Sequence, residues 1–201
     1  MSLPVDPGGA SQESGDSAFT SPSGYHPHLL DDPELTSGRH RKVLNLASYL
    51  VSMVAYAKPS ELKKDLNEQF REKFPNLNIT LTKLRSLKKD IVKIAISQEC
   101  QLDLTTVAYA FVYFEKLILK EKISKANRKL LAGSCLLLAA KFNDDMKRDK
   151  IKELIEAIED RFRISAKELL KFEFQAVIAL EFDLHVPQWE VLPHVKRMET
   201  E

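Results

Sequence analysis

Five histidines, two cysteines and a run of basic residues hold most of the reactive chemistry in this sequence, and their spacing limits what they can do. None of His26, His28, His40, His185 and His194 has a Cys or His partner at the spacing of a structural zinc site. His26 and His28 flank Pro27 in a polar stretch, where a solvated pair is the plainer reading than a ligand pair. Cys135 sits among Gly133, Ser134, Leu136 and Leu137 in an apolar helical pattern, so it reads as a core thiol and not a nucleophile. Cys100 also lies in such a pattern, and without an extracellular cue the two imply reduced thiols in an intracellular compartment. After residue 38 the only glycine is Gly133, so no glycine-rich loop is available to bring backbone N–H groups around a phosphate. The expectation is a protein with no catalytic residue, metal or cofactor.

Lys83, Arg85, Lys88, Lys89 and Lys93 share one helical segment. Phosphate contacts are one reading of them; a solvated face is the plainer one, because aromatic or amide side chains for reading bases are missing nearby. Residues 1–38 carry six acids and no Lys or Arg, so the remaining 163 residues hold 30 basic and 23 acidic groups, a balance of +7. That is mildly basic, short of the stripe of a dedicated nucleic-acid binder. No segment reaches the roughly 18 apolar residues of a membrane span, so neither nucleic acid nor membrane is expected as a partner. Ser21, followed by Pro22, fits proline-directed phosphorylation, with an unmodified turn as the plainer reading.

The elements that position these groups follow from periodicity. Five of six glycines and five of nine prolines fall within residues 1–38, whose scattered apolar side chains cannot offset the entropy of ordering them; this stretch reads as a disordered or loosely docked acidic tail. Residues 39–84 read as a helical extension: Val43, Leu44, Ala47, Leu50, Val51 and Val54 form one face before Pro59, and Leu62, Leu66, Phe70 and Phe74 form another before Pro75. Leu81, Leu84, Leu87, Ile91, Ile94 and Ala95 mark the next helix, and Asp103 caps another. Ser124 is expected to cap a helix over residues 125–142 that is apolar or small on every side, hence central. Gly133 within it implies a tight crossing. Ile151, Leu154, Ile155 and Ile158 give a further helix, and Ser165 with Glu168 forms a capping box for the last. The apolar residues of that helix, Leu169 to Phe182, are numerous enough to predict that it is largely buried. No useful strand pattern appears, so the fold class is all-α.

Residues 136–145, LLLAAKFNDD, and 171–184, KFEFQAVIALEFDL, resemble two helices of the cyclin box, a five-helix domain expected here over residues 85–187, with 188–201 as a C-terminal tail. In that resemblance Lys141 and Glu173 match the lysine and glutamate with which cyclins hold a kinase; a surface lysine and an internal ion pair are the alternative reading. The stretches YHPHLLDDP, KPSELKKDLNEQFREKFP, TLTKLRSLKKD, VYFEKL and NRKLLAG are similar to the Cables family. The resemblance implies a single-cyclin-box adaptor for cyclin-dependent kinases and an Abl-type tyrosine kinase, active in cell-cycle control in nucleus and cytoplasm. The sequence departs from full cyclins in lacking a second box. It also has Arg85, Ser86, Leu87, Lys88 and Lys89 where they have an apolar substrate-docking patch. The rival reading is a nucleic-acid or transcription-complex module, since the cyclin box also occurs in general transcription factors.

Overall fold

The computed structural model describes residues 24–32, 41–46, 49–54, 58–144 and 146–200. Its helices are α1 (Pro59–Lys73), α2 (Leu81–Ala95), α3 (Leu104–Leu119), α4 (Arg128–Asn143), α5 (Arg148–Phe162), α6 (Ala166–Ala179) and α7 (Gln188–Thr200). Pro59 occupies the first turn of α1, where its missing N–H costs nothing, and Leu66 and Phe70 turn inward. Thr80 caps α2 by accepting from the Lys83 amide, and the expected stripe from Leu81 to Ala95 is buried. Ser165 and Glu168 form the anticipated capping box of α6. Asp103 stands at the N-cap of α3 without a side-chain cap.

Three elements differ in type or extent from the sequence-based expectation. In place of the first helix of the 39–84 extension, β1 (Arg41–Leu46) and β2 (Tyr49–Val54) pair antiparallel, from Arg41 opposite Val54 to Leu46 opposite Tyr49. Short apolar runs fit either period, and here the valines and the tyrosine of the segment favour strand. Residues 188–201, expected as a tail, contain α7, which packs along α3 despite Pro193. The helix α4 begins at Arg128 and not at residue 125, because Ser124 and Asn127 bond each other's amides in a turn that delays it.

α3 and α4 form the centre. α4 packs on α3, α5 and α6, while α3 is flanked by α4 and α7, so both are buried on nearly every side. Gly133 marks the tightest crossing: a Cβ there meets Ile158 Cγ2 at 2.8 Å and Leu169 Cδ1 at 3.2 Å. The absence of a side chain at this position lets α5 and α6 approach α4 closely, which sets the distance across which the ends of α4 and α6 face each other.

Candidate functional site

The close approach of α4 and α6 brings Lys141, in the last turn of α4, against Glu173 on α6. The Lys141 ammonium lies 2.8 Å from both carboxylate oxygens of Glu173. The pair sits at the surface, with side chains 33% and 14% exposed. The sequence resemblance thus named two residues that the fold does join, and the geometry is an ion pair within the chain.

Exposed apolar side chains follow one another along the helix that carries Glu173. Leu170, Phe174 and Ile178 recur every four residues on α6, and Phe182 follows beyond its end; they are 44%, 63%, 50% and 66% exposed, and Phe142 beside Lys141 is 40% exposed. These are five of the seven large apolar side chains exposed among the described residues, and four of them lie on α6 or just beyond it while Phe142 adjoins the lysine paired to that helix, so they are concentrated and not scattered. The expectation that α6 is largely buried is corrected here: Leu169 and Ala176 face the core, and the surplus apolar residues line the opposite side. Glu181 and Phe182 both adopt left-handed backbone, with φ of 59° and 60°. That conformation costs a non-glycine residue about 1 kcal/mol. It is held by the Phe182 amide donating to the Val177 carbonyl and by Lys120 bonding the Ala179 carbonyl and Glu181. Phe142 also meets the His185 ring edge-on, with centroids 5.0 Å apart.

A second constellation lies between α2, α3 and α7. Residues 24–32, expected within the acidic tail, are bound to the core: Tyr25 and Leu30 are wholly buried. The Tyr25 hydroxyl donates to Glu115 Oε2 at 2.7 Å and meets His194 Nε2 at 2.8 Å. Arg197 contacts His194 Nδ1 at 2.8 Å and also bonds the carbonyls of Pro27 and Asp31. An arginine only donates, so His194 Nδ1 accepts, and the ring proton sits on Nε2, pointing at the tyrosine oxygen. Burial, then the Lys88 and Arg197 cations, pushes His194 down to about 2, which keeps the imidazole neutral. Lys88 pairs with Glu115 and reaches Asp31 at 3.6 Å; Arg85 bonds Asp31 at 2.8 Å. Burial raises the Asp31 carboxyl, but Lys88 and Arg85 outweigh it and leave it below its ordinary range. Lys116 pairs with the buried Glu190 at 2.8 Å on the neighbouring turn.

The family model described as cyclin, N-terminal domain, matches residues 52–185. The chain belongs to the cyclin family. Within it, the chain is similar to "CDK5 and ABL1 enzyme substrate 1" of Homo sapiens, 52% identical over 87% of this chain and 27% of that protein. It is also similar to "CDK5 and ABL1 enzyme substrate 2" of Mus musculus, 50% identical over 87% of this chain and 36% of that protein. These are the Cables proteins of the resemblance, and the chain spans about a third of the length of the curated relatives it matches. No solved structure matches the chain.

The cyclin-family match begins at residue 52, ahead of the box expected from residue 85, and stops before α7. In this cyclin fold the basic run on α2 is divided. Lys89 and Lys93 are exposed and Lys83 is half-buried, whereas Arg85 and Lys88, expected on a solvated face, turn in to Asp31 and Glu115. Their inward turn follows from Asp31 and from Glu115 of α3, which lie far away in the sequence. Burial pushes the Cys135 thiol up, which disfavours the thiolate. Among the described residues no three His, Cys, Asp or Glu side chains gather to hold a metal, and no helix is long and apolar enough to cross a membrane. Ser21 lies outside the described residues.

Proposed function

We propose that this chain binds a cyclin-dependent kinase, such as the CDK5 in its relatives' names, through the face made by α4 and α6, and works as a non-catalytic adaptor in cell-cycle control. The observation that carries the reading is the clustering of Leu170, Phe174, Ile178, Phe182 and Phe142 around the Lys141–Glu173 pair. Apolar anchors ringing one ion pair supply burial energy together with fixed polar orientation, the composition of a protein-binding surface. An amphipathic helix of the kinase fits such a face, its apolar stripe on the phenylalanines and its end held by the ammonium and the carboxylate. Repositioning that kinase helix completes the catalytic Lys–Glu pair of a protein kinase, so a partner without catalytic groups can regulate one. An Abl-type tyrosine kinase, also in the relatives' names, is the proposed second partner, and nucleus and cytoplasm are the proposed compartments.

Titration calorimetry of the 201-residue chain with purified CDK5 tests the reading. Phe174→Glu places a charge in the centre of the patch without touching the core. It is expected to weaken binding roughly thirtyfold or more. Unchanged affinity in that folded variant moves the interface elsewhere, and no heat from the parent chain removes the kinase as a partner.

A further inference from the structure

On α6 the exposed Leu170, Phe174 and Ile178 stand opposite the buried Leu169 and Ala176. Phe172, Glu173 and Val177 lie between these two sides and are half-buried. The exposed row therefore points away from the core, one step around the helix from the carboxylate that Lys141 holds. A ridge of apolar side chains spaced by four residues packs best against a second helix that carries a ridge of the same spacing.

The row is its own complement when read backwards. An antiparallel helix centred on Phe174 sets Leu170 of one copy against Ile178 of the other and Phe174 against its own mate, so three apolar residues meet three across a two-fold axis. In that register Glu173 faces Gln175, and Lys167 faces Glu181. No charge from Lys167 to Glu181 meets its own sign. Lys167 is exposed, and the Glu181 side chain, just past the end of α6, is 79% exposed even while it pairs with Lys120.

The wider charge at the two ends of the helix agrees with this direction. Lys120 and Lys122 border the C-terminal end beside Ile178, and with Glu121, Glu181 and Asp183 they make two cations against three acids. At the N-terminal end Lys167 and Lys171 stand with Glu168, two cations against one acid. Antiparallel pairing joins these unlike ends, whereas parallel pairing sets Lys167, Lys171 and Glu181 each against its own copy.

We infer that the outer row of α6 is the contact of a two-fold dimer of this chain, with Phe174 on the axis. One helix from each copy buries less than the roughly 1,200–2,000 Å² of a stable complex, so the dimer is weak and forms as concentration rises. The row adjoins Glu173 and the lysine that it holds, so a second copy and a kinase exclude each other. That exclusion rests on the kinase reading above; the pairing of copies does not.

Sedimentation velocity of the full 201-residue chain, from low micromolar to submillimolar concentration, tests the pairing. The expected result is a weight-average mass that climbs from one copy towards two. Lys167→Glu and Glu181→Lys each set like charges across the axis at both ends, and each is expected to weaken association roughly fivefold or more. An equimolar mixture of the two variants restores opposite charges at both ends of the mixed dimer, so it is expected to associate more strongly than either variant alone. A parent that stays monomeric, variants that associate as the parent does, or a mixture no stronger than its components would overturn the inference. Adding CDK5 to the concentrated parent is expected to replace the dimer by a complex of one chain with one kinase. A complex that holds CDK5 and two chains together would overturn the exclusion, whereas CDK5 that sediments apart from the chain at every concentration would remove the kinase reading and leave the dimer standing.

Discussion

Tyr25 and His194 stand 169 positions apart in the chain and 2.8 Å apart in the core. Their contact joins a segment ahead of the matched cyclin domain to a helix that follows it. The imidazole donates to the tyrosine oxygen, the tyrosine donates to Glu115, and Lys88 balances that carboxylate, so each buried polar group answers another.

Tyr25→Phe keeps the ring and removes the hydroxyl that links His194 to Glu115. Losing it leaves buried polar atoms without this partner, so the variant is expected to be less stable by about 1–3 kcal/mol in urea unfolding. A variant as stable as the parent would show that the hydroxyl linking His194 to Glu115 does not contribute to the folded state.

The same cluster predicts acid sensitivity. His194 is held at about 2, against an ordinary 6.5. Between these values the unfolded chain takes up a proton that the folded chain refuses, so the contribution is fully present above 6.5 and is lost as pH falls towards 2. The slope from this one group is at most about 1.4 kcal/mol per pH unit. Asp31, held below its ordinary 3.8, adds to the loss in the most acidic part of the range. Chemical unfolding of His194→Gln across this window should show a flatter profile than the parent; parallel profiles contradict the assignment.

Gly133→Ala sets helix propensity against packing. Alanine gains about 1 kcal/mol in a helix, but the added methyl meets Ile158 Cγ2 at 2.8 Å and Leu169 Cδ1 at 3.2 Å. Overpacking costs about 1–3 kcal/mol, and the branched Ile158 side chain has little freedom to yield, so a net loss of about 1 kcal/mol is expected in thermal unfolding. A stabilised variant would mean that α5 moves away from α4 without cost.

Much of the helical frame was legible from periodicity, because Leu81 to Ala95 and the capping box at Ser165 carry local signals that tertiary contacts reinforce. What escaped was set by distant partners. Tyr25 lies in a stretch rich in Gly, Ser and Pro, and nothing local reveals that Glu115 and His194 await it. Pro193 masked the helical spacing of Val191, His194 and Met198. For α6 the residue types were read correctly and the destination wrongly: an excess of Leu, Ile and Phe marked a second apolar face that lies on the surface. Lys141 and Glu173 came from resemblance, since no periodicity distinguishes them from other surface charges, and the fold then placed them 2.8 Å apart.

Amide hydrogen exchange, with and without saturating CDK5, tests the central claim most directly because it reads every surface of the unmodified chain at once. The account predicts slowed exchange at the end of α4 around Lys141 and Phe142 and along residues 170–182, with α2 and α7 unaffected. Slowed exchange confined to α2 and α7, with residues 170–182 unchanged, would contradict it.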